Sequence, residues 1–328
     1  MDNKKKLWQA LGLAGAAAAA ASVTSYWVTK NLVNIALDRE EPPVARTAER
    51  FISGKAKSEE NAFLKQVEEN GEKLAAKESE TVKIVSHDGV TLTGHWRPHP
   101  HAKRIIVAMH GWRSSWSHDF GTISLFWERE DCSVLYAEQR GQNNSGGDYM
   151  GFGVLERYDC LDWINWVNER CGVDMPVYLC GISMGATTVL MASGLPLPGN
   201  VRGIMADCGF TSPHDIWKYV TTENLHLHYG MKGQLADAMF RRKIQSGSNK
   251  FSTVDALRQS RVPILLAHGT ADQFVPVEMT YENYLACPGQ REMLIVPGAN
   301  HGMSYFMDTE KYEAAMTRFW AKNDAMDP

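Results

Sequence analysis

Residues 177–190 read Val-Tyr-Leu-Cys-Gly-Ile-Ser-Met-Gly-Ala-Thr-Thr-Val-Leu and predict a strand, a sharp turn and a helix in immediate succession. The turn has a Gly-x-Ser-x-Gly pattern, and its glycines avoid the collision that side chains would cause where strand and helix cross. A serine on such a turn is held exposed at the end of the strand, as in a nucleophile elbow. Ser183 is therefore the candidate nucleophile.

The apolar pattern around this stretch predicts an α/β fold. Two short runs flank an Asp-Gly turn at residues 82–94 and predict a hairpin. Six continuous apolar runs then alternate with helical stretches such as 155–167 and 309–322, which predicts a mostly parallel central sheet with helices on both faces. The six runs are residues 105–109, 134–136, 177–180, 204–206, 264–267 and 293–296.

Two further side chains suited to nucleophilic catalysis follow late apolar runs. Asp272 comes after the run 264–267, and His301 after the run 293–296. Ligands bind at the carboxyl ends of strands in such sheets, so both side chains are expected near Ser183. A serine needs a base to take its proton, and the imidazole needs a carboxylate to fix its tautomer. We predict His301 as the base and Asp272 as the acid, with Asp207 as the alternative acid.

A site for the developing oxyanion is predicted from the His-Gly-Trp sequence at residues 110–112, which follows the first apolar run of the parallel sheet. The backbone N–H of Trp112 and that of Met184, next after the nucleophile, would stabilise the negative charge. His110 precedes the nucleophile in the chain and is interpreted as holding the loop.

Aromatic and apolar residues near these motifs predict a substrate pocket. Residues 211–257 interrupt the alternation of strands and helices, and an insertion of this length after a strand predicts a lid over the site. The alternative for each aromatic residue is ordinary core packing. The candidate pocket residues are Trp116, Phe274, Met303 and Tyr305, with Trp217 contributed by the lid.

The start of the chain predicts contact with a membrane. Residues 4–6 are lysines and residues 7–28 carry no charge, a length close to the roughly 20 residues that span a bilayer. We interpret residues 1–30 as an anchor that leaves the catalytic domain outside the cytoplasm. A cleaved signal peptide is the alternative, since residues 19–22 are small, and would yield a secreted protein. A buried amphipathic helix is the third interpretation.

Two further segments complete the predicted domain organisation. Residues 31–80 are rich in Glu and Lys and are interpreted as a charged helical stalk, a surface helix or a solvated linker. Residues 81–328 are predicted to form the catalytic domain, including the lid.

Composition excludes several classes of function. The chain of 328 residues is 44% hydrophobic and 10% aromatic, as expected of a globular protein. A net charge of −4, with both signs interspersed, indicates no nucleic-acid partner. Six cysteines without a Cys-x-x-Cys spacing are expected to be buried free thiols. His226 and His228 have no cysteine or carboxylate cluster beside them, so no metal site is predicted.

Taken together, five motifs resemble the α/β-hydrolase superfamily over about residues 81–320. Within it the chain is similar to bacterial membrane-anchored or secreted serine hydrolases of the acyl-esterase and serine-aminopeptidase branches. The resemblance implies the Ser183, Asp272 and His301 triad, the two oxyanion amides and no cofactor. The motifs are His110-Gly111-Trp112, Arg140-Gly141 with Ser145-Gly146-Gly147, Gly181 to Gly185, His268 to Asp272 and Asn300-His301-Gly302.

Three functions are compatible with these residues. The first is hydrolysis of a small-molecule carboxylic ester through an acyl-enzyme intermediate. The second is a peptidase or amidase with the same triad, which needs an acidic group such as Glu156 or Asp148 to hold the substrate amine. The third is a membrane-tethered binding protein that has lost catalysis, for which a triad member should be missing.

Overall fold

The computed structural model describes residues 23–40 and 58–324 of the chain. Eight strands form one sheet in the order β1-β2-β4-β3-β5-β6-β7-β8. The hairpin β1–β2 pairs antiparallel, β2 also pairs antiparallel with β4, and all other neighbours are parallel. The predicted fold class is confirmed. The strands are β1 Glu80–Val85, β2 Thr91–Arg97, β3 Arg104–Met109, β4 Cys132–Ala137, β5 Val177–Ile182, β6 Val201–Asp207, β7 Ile264–Gly269 and β8 Arg291–Val296.

Helices cover both faces of this sheet, which explains why apolar and polar residues do not alternate along the central strands. Every residue of β3, β4 and β7 is buried, because each strand contributes side chains to a core on either side. The helices are α1 23–37, α2 Ser58–Ala76, α3 Trp116–Phe120, α4 Ile123–Arg129, α5 Glu156–Cys171, α6 Met184–Ala192, α7 Pro213–Tyr219, α8 Gly230–Ile244, α9 Thr253–Gln259, α10 Val277–Ala286, α11 Ser304–Met307 and α12 Thr309–Asn323.

Two large apolar clusters fill the two sides of the sheet. One joins Val107 and Leu179 to Trp163 of α5. The other joins Ile106 and Tyr178 to side chains of α4 and α12. All six cysteines are free thiols, as expected from the sequence, and five of them are buried, whereas Cys171 is exposed.

A third apolar cluster lies above the carboxyl ends of the strands and joins α1 to the predicted lid. It contains Val33 and Leu37 of α1 together with Ile216 of α7 and Phe240 of α8. The segment between β6 and β7 therefore forms a cap, built from α7, a π-helical turn Val220–Asn224, and α8. Helix α9, at the end of the same segment, packs on the sheet through Leu257.

The described parts of residues 31–80 pack on the catalytic domain. In α1 the side chain of Leu37 is fully buried, and in α2 those of Val67 and Leu74 are buried. Of the interpretations given for this segment, a surface helix describes α2, whereas a solvated linker does not describe either helix. The physical reason is that both helices carry apolar side chains, three to seven residues apart, on the face that meets the domain.

The predicted membrane span, residues 7–28, lies mostly outside the described residues. Its last part begins α1, where Val23, Tyr26 and Trp27 are exposed. Among the helices of residues 23–40 and 58–324, none is both long enough and apolar enough to span a bilayer. Membrane attachment remains a prediction from the sequence.

Candidate active site

Ser183 lies on a sharp turn between β5 and α6. Its φ of 56° and ψ of −118° are a strained backbone conformation for a residue with a side chain. The two flanking glycines make the turn possible: a Cβ at Gly181 would overlap the carbonyl of Gly185, and a Cβ at Gly185 would overlap that of Met109. The Ser183 N–H donates to the Asp207 carbonyl at 2.9 Å, which fixes the turn against β6.

His301 and Asp272 meet Ser183 at the carboxyl edge of the sheet. Asp272 lies in the turn after β7 and His301 in the turn after β8. His301 Nε2 is 2.9 Å from Ser183 Oγ, and His301 Nδ1 is 2.7 Å from Asp272 Oδ2. With Nδ1 donating to the carboxylate, Nε2 is the acceptor for the serine hydroxyl. The three predicted side chains thus form one continuous line of hydrogen bonds.

The Asp272 carboxylate is buried and fully engaged in hydrogen bonds. Its Oδ1 accepts the N–H groups of Phe274 and Val275, both at 2.9 Å, while Oδ2 accepts from His301 and lies 3.1 Å from His268 Nε2. Burial opposes ionisation, but the hydrogen bonds from His268 and His301 outweigh it and hold the pKa of Asp272 well below its usual range. Asp272 is therefore ionised at neutral pH.

His268 is a member of this cluster for which the sequence predicted no role. It is fully buried at the end of β7, and its Nδ1 lies 2.6 Å from Thr280 Oγ1 of α10. Its position four residues before Asp272, at a strand end, was the signal available in the sequence. His268 and His301 thus contact the same carboxylate oxygen, Oδ2 of Asp272.

A stability test follows from the lowered pKa of Asp272. A carboxylate with a lower pKa in the folded state stabilises the protein above its unfolded pKa of about 3.9, and that contribution is lost as the pH falls toward the folded value. We expect the advantage of wild type over Asp272→Asn in free energy of unfolding to shrink by about 1 kcal/mol between pH 6 and pH 3. Urea unfolding at both pH values measures it. An advantage that is constant, or that grows in acid, would contradict the assignment.

The loop after β3 offers a free N–H group beside Ser183. The Gly111 N–H donates to Asp119 Oδ2 at 2.6 Å and the Arg113 N–H to Gln142 Oε1 at 2.5 Å. Between them, the Trp112 N–H donates to no group in the part of the chain that the structure describes. The loop is close to the serine, since a Cβ added at Gly111 would lie 3.5 Å from Ser183 Cβ.

Met184 supplies the second N–H of the predicted oxyanion site. It is the first residue of α6, and an N–H in the first turn of a helix has no partner within that helix. The positive end of the helix dipole adds to its attraction for negative charge. The contacts of Trp112 and Met184 are thus compatible with the predicted role.

The two alternatives weighed from the sequence, His110 and Asp207, have structural contacts instead. His110 is fully buried, and burial lowers its pKa. Its Nδ1 donates to the Gly111 carbonyl at 2.8 Å and its Nε2 accepts the Gln139 N–H at 3.1 Å, so it holds the loop. The Asp207 carboxylate accepts the Ser304 hydroxyl at 2.9 Å, and its hydrogen bonds do not include His301.

An apolar cavity of about 230 Å³ opens at Ser183. Phe274 lines it, as predicted, and its ring packs against His301 with centroids 5.2 Å apart. Trp217 of the cap lines it too. Trp112 is a further wall. Three aromatic walls were missed because none of them belongs to a catalytic motif: Phe152, Phe210 and Tyr229.

Three of the predicted pocket residues lie elsewhere. Trp116 is buried in the core cluster that contains Ile106 and Tyr178, and it stacks on His95 with ring centroids 4.3 Å apart. Tyr305 is buried against Tyr312 and donates its hydroxyl to Glu313 at 2.7 Å. Met303 does not line the cavity. The prediction was wrong for them because closeness in sequence to a catalytic motif does not determine which face of the sheet a side chain joins.

Two groups of side chains have potential metal ligands within 4.8 Å of one another in the described residues, and both are already engaged. The first is Asp272 and His301 with the buried Cys208. The second contains His87, Asp162 and Asp159, and the last of these accepts two hydrogen bonds from the Arg140 guanidinium, at 2.5 and 2.6 Å. The Arg140 guanidinium thus already balances the charge of the Asp159 carboxylate.

The sheet order, with a serine on the turn after β5, defines the protein as an α/β hydrolase, and solved structures share this fold. The Pyrococcus furiosus esterase Pf2001 is 20% identical and superposes with a TM-score of 0.62 over 77% of this chain and 96% of its own. The Pyrococcus horikoshii acylaminoacyl peptidase is 16% identical, with a TM-score of 0.59 over 79% of this chain and 44% of its own.

The chain belongs to the prolyl oligopeptidase family, whose model matches residues 117–326, more than half of the sequence. It is therefore a hydrolase. The protein YqkD of Bacillus subtilis is 23% identical over 81% of this chain and 88% of its own. The protein YfhR of Escherichia coli K12 is 26% identical over 68% of this chain and 73% of its own.

Proposed function

We propose that the protein is a serine hydrolase that cleaves carboxylic esters through an acyl-enzyme intermediate. The observation that carries the proposal is the line of hydrogen bonds from Ser183 through His301 to Asp272, whose serine end lines an apolar cavity. A serine next to a neutral imidazole, with an ionised carboxylate behind it, is an activated nucleophile. The non-catalytic binding protein is disfavoured, because all three side chains are present and in contact.

The proposed reaction has two stages. Ser183 Oγ attacks the ester carbonyl carbon while His301 Nε2 takes its proton, and the Trp112 and Met184 N–H groups stabilise the oxyanion. The intermediate expels the alcohol, which receives the proton from His301. Water, deprotonated by His301, then attacks the acyl carbon. The bond from that carbon to Ser183 Oγ breaks, the oxygen takes the proton back from His301, and the acid is released. Asp272 stays ionised and stabilises the imidazolium in both stages.

Family membership makes an amide or peptide bond the second candidate. Release of an N-terminal residue requires an acidic group to hold the substrate amine, and the described residues that line the cavity include no Asp or Glu. Glu156 is fully buried away from the cavity and accepts the N–H groups of Gly151 and Gly153 at 2.5 and 2.8 Å. The absence of a partner for an ammonium group favours the ester.

A comparison of matched substrates tests this preference. We expect kcat/KM for a p-nitrophenyl ester to exceed that for an aminoacyl p-nitroanilide by about 100-fold or more, since the apolar site leaves an ammonium unpaired. N-acylation of the same anilide removes the ammonium charge. The kcat/KM of the N-acyl anilide therefore separates the effect of the charge from the effect of the amide bond. Faster cleavage of the free aminoacyl anilide would reverse the assignment in favour of the peptidase.

We propose, from the sequence alone, that the N-terminal segment attaches the enzyme to a membrane with the catalytic domain outside the cytoplasm. The three lysines at residues 4–6 and the uncharged residues 7–28 support this topology. Secretion after cleavage is the alternative. The presence of the intact N-terminus in the membrane fraction distinguishes them.

A further inference from the structure

Helix α1 forms one wall of the cavity beside Ser183. Its residues Thr29, Leu32, Val33 and Ala36 recur at helical spacing, which places them on one face, and all four line the cavity. Because α1 precedes the first strand by more than forty residues, this wall is separate in the chain from every catalytic motif. The cap helices α7 and α8 complete the enclosure from another side.

The loop that carries the proposed oxyanion N–H holds the carboxyl end of α1. The Trp112 indole N–H donates to the Ala36 carbonyl at 2.9 Å, and the Arg113 guanidinium donates to those of Ile35 and Asp38 at 2.8 and 2.7 Å. Carbonyls in the last turn of a helix lack partners within it, and a cation suits the negative end of the helix dipole. The wall and this loop are therefore coupled directly.

The residues just after α1 fix it to the rest of the domain. The Leu37 carbonyl accepts the Met150 N–H at 2.7 Å, and the Arg39 N–H donates to the Asp148 carbonyl at 2.9 Å. The Asp38 carboxylate forms an ion pair with Lys243 of the cap helix α8. Backbone hydrogen bonds to residues 148–150 and an ion pair to the cap together give α1 a defined position.

The size and chemistry of the cavity limit what can bind there. An engineered apolar cavity of about 150 Å³ accepts benzene, whereas sites for drug-sized ligands occupy about 300–1,000 Å³. At about 230 Å³, this cavity fits one apolar group of intermediate size. Lys232 is the one charged residue among its described lining residues, so a cationic group beside the serine would lose solvation without a carboxylate to compensate.

We propose that α1 is the specificity-determining wall of the enzyme, and that the substrate is an ester whose medium-length apolar acyl chain lies against it. The proposal rests on the ester hydrolysis proposed above and adds the class of acyl group. Acetyl would leave most of the wall uncovered, and palmitoyl would extend beyond the cavity. Burial of each additional methylene group against the wall should raise kcat/KM by about 4-fold until the space is filled.

Substitution on the two sides of α1 tests the proposal. For wild type, kcat/KM for p-nitrophenyl octanoate should exceed that for both the acetate and the palmitate. Ala36→Phe fills the cavity and should lower the octanoate-to-acetate ratio of kcat/KM by about 10-fold or more. Asn31→Phe is the matched control, because Asn31 is on the same helix but does not line the cavity, and it should leave that ratio as in wild type.

An unchanged ratio in Ala36→Phe, or an equal change in both variants, would overturn the role of α1. If wild type hydrolyses no ester, the proposed function fails, and binding then tests the wall independently. Methyl octanoate should quench the fluorescence of Ser183→Ala, since Trp112 and Trp217 line the cavity. In the double variant Ser183→Ala with Ala36→Phe, this binding should be about 10-fold weaker. Equal binding by the single and the double variant would refute the proposed role of α1.

Discussion

Replacing Ser183 with alanine is expected to lower kcat for ester hydrolysis by about 10⁴-fold or more. Without the hydroxyl, His301 Nε2 has no nucleophile to deprotonate, and no acyl-enzyme can form. The N–H groups near the site remain, so a rate above that of the uncatalysed reaction should persist. Steady-state kinetics with p-nitrophenyl octanoate, together with the mass of the intact protein after reaction with a fluorophosphonate, measure both effects.

Ser304→Ala is the matched control for this change. Ser304 is a second buried serine near the site, but its hydroxyl donates to Asp207 rather than to His301. Wild type and Ser304→Ala should each gain a single phosphonyl adduct, which Ser183→Ala should lack. Thermal unfolding of all three establishes that they are folded. An adduct retained by Ser183→Ala would locate the reactive nucleophile elsewhere and end the proposal for this residue.

Asp272→Asn should have a comparable effect, a loss of about 10⁴-fold in kcat. The neutral amide cannot stabilise the imidazolium that forms on His301. The amide N–H₂, if it faces His301 Nδ1, also favours the tautomer in which Nε2 carries the proton and cannot accept one from Ser183. KM should change little, because Asp272 lies behind His301 and does not line the cavity.

Asp207→Asn separates the two candidate acids. An asparagine at this position still has an oxygen to accept the Ser304 hydroxyl, and Asp207 makes no hydrogen bond to His301. Its kcat should therefore stay within about 10-fold of wild type, well above that of Asp272→Asn. The reverse order of the two variants would make Asp207 the acid and would require a different orientation of His301 from that in the structure.

The sequence allowed the sheet and the three aligned side chains to be predicted for one physical reason. Strands buried on both faces produce continuous apolar runs, and the residues just after those runs meet at one edge of the sheet. Ser183, Asp272 and His301 each follow such a run within five residues. Their mutual contact is thus determined by the order of strands rather than by long loops.

The cavity walls could not be predicted in this way. Trp116 follows a motif closely yet faces the core, whereas Phe152 lines the cavity from a loop with no recognisable signal. The first part of α1, residues 23–30, falls in the predicted membrane anchor because residues 7–28 carry no charge, and the rest falls in the predicted stalk. Its helical spacing of apolar side chains is equally suited to packing on a domain, and only the position of the cap shows which surface it meets.

The separate origin of α1 has a consequence for how the substrate range of such a protein can evolve. The turns that carry the reacting groups are bound to the sheet, where most substitutions would disturb the core. The wall comes from a helix that precedes the sheet in the chain and contributes no reacting group. The loop after β3 holds this helix through main-chain carbonyls, so substitutions of its cavity-facing side chains leave those contacts in place. Recognition can therefore diversify among descendants while the chemistry is inherited unchanged.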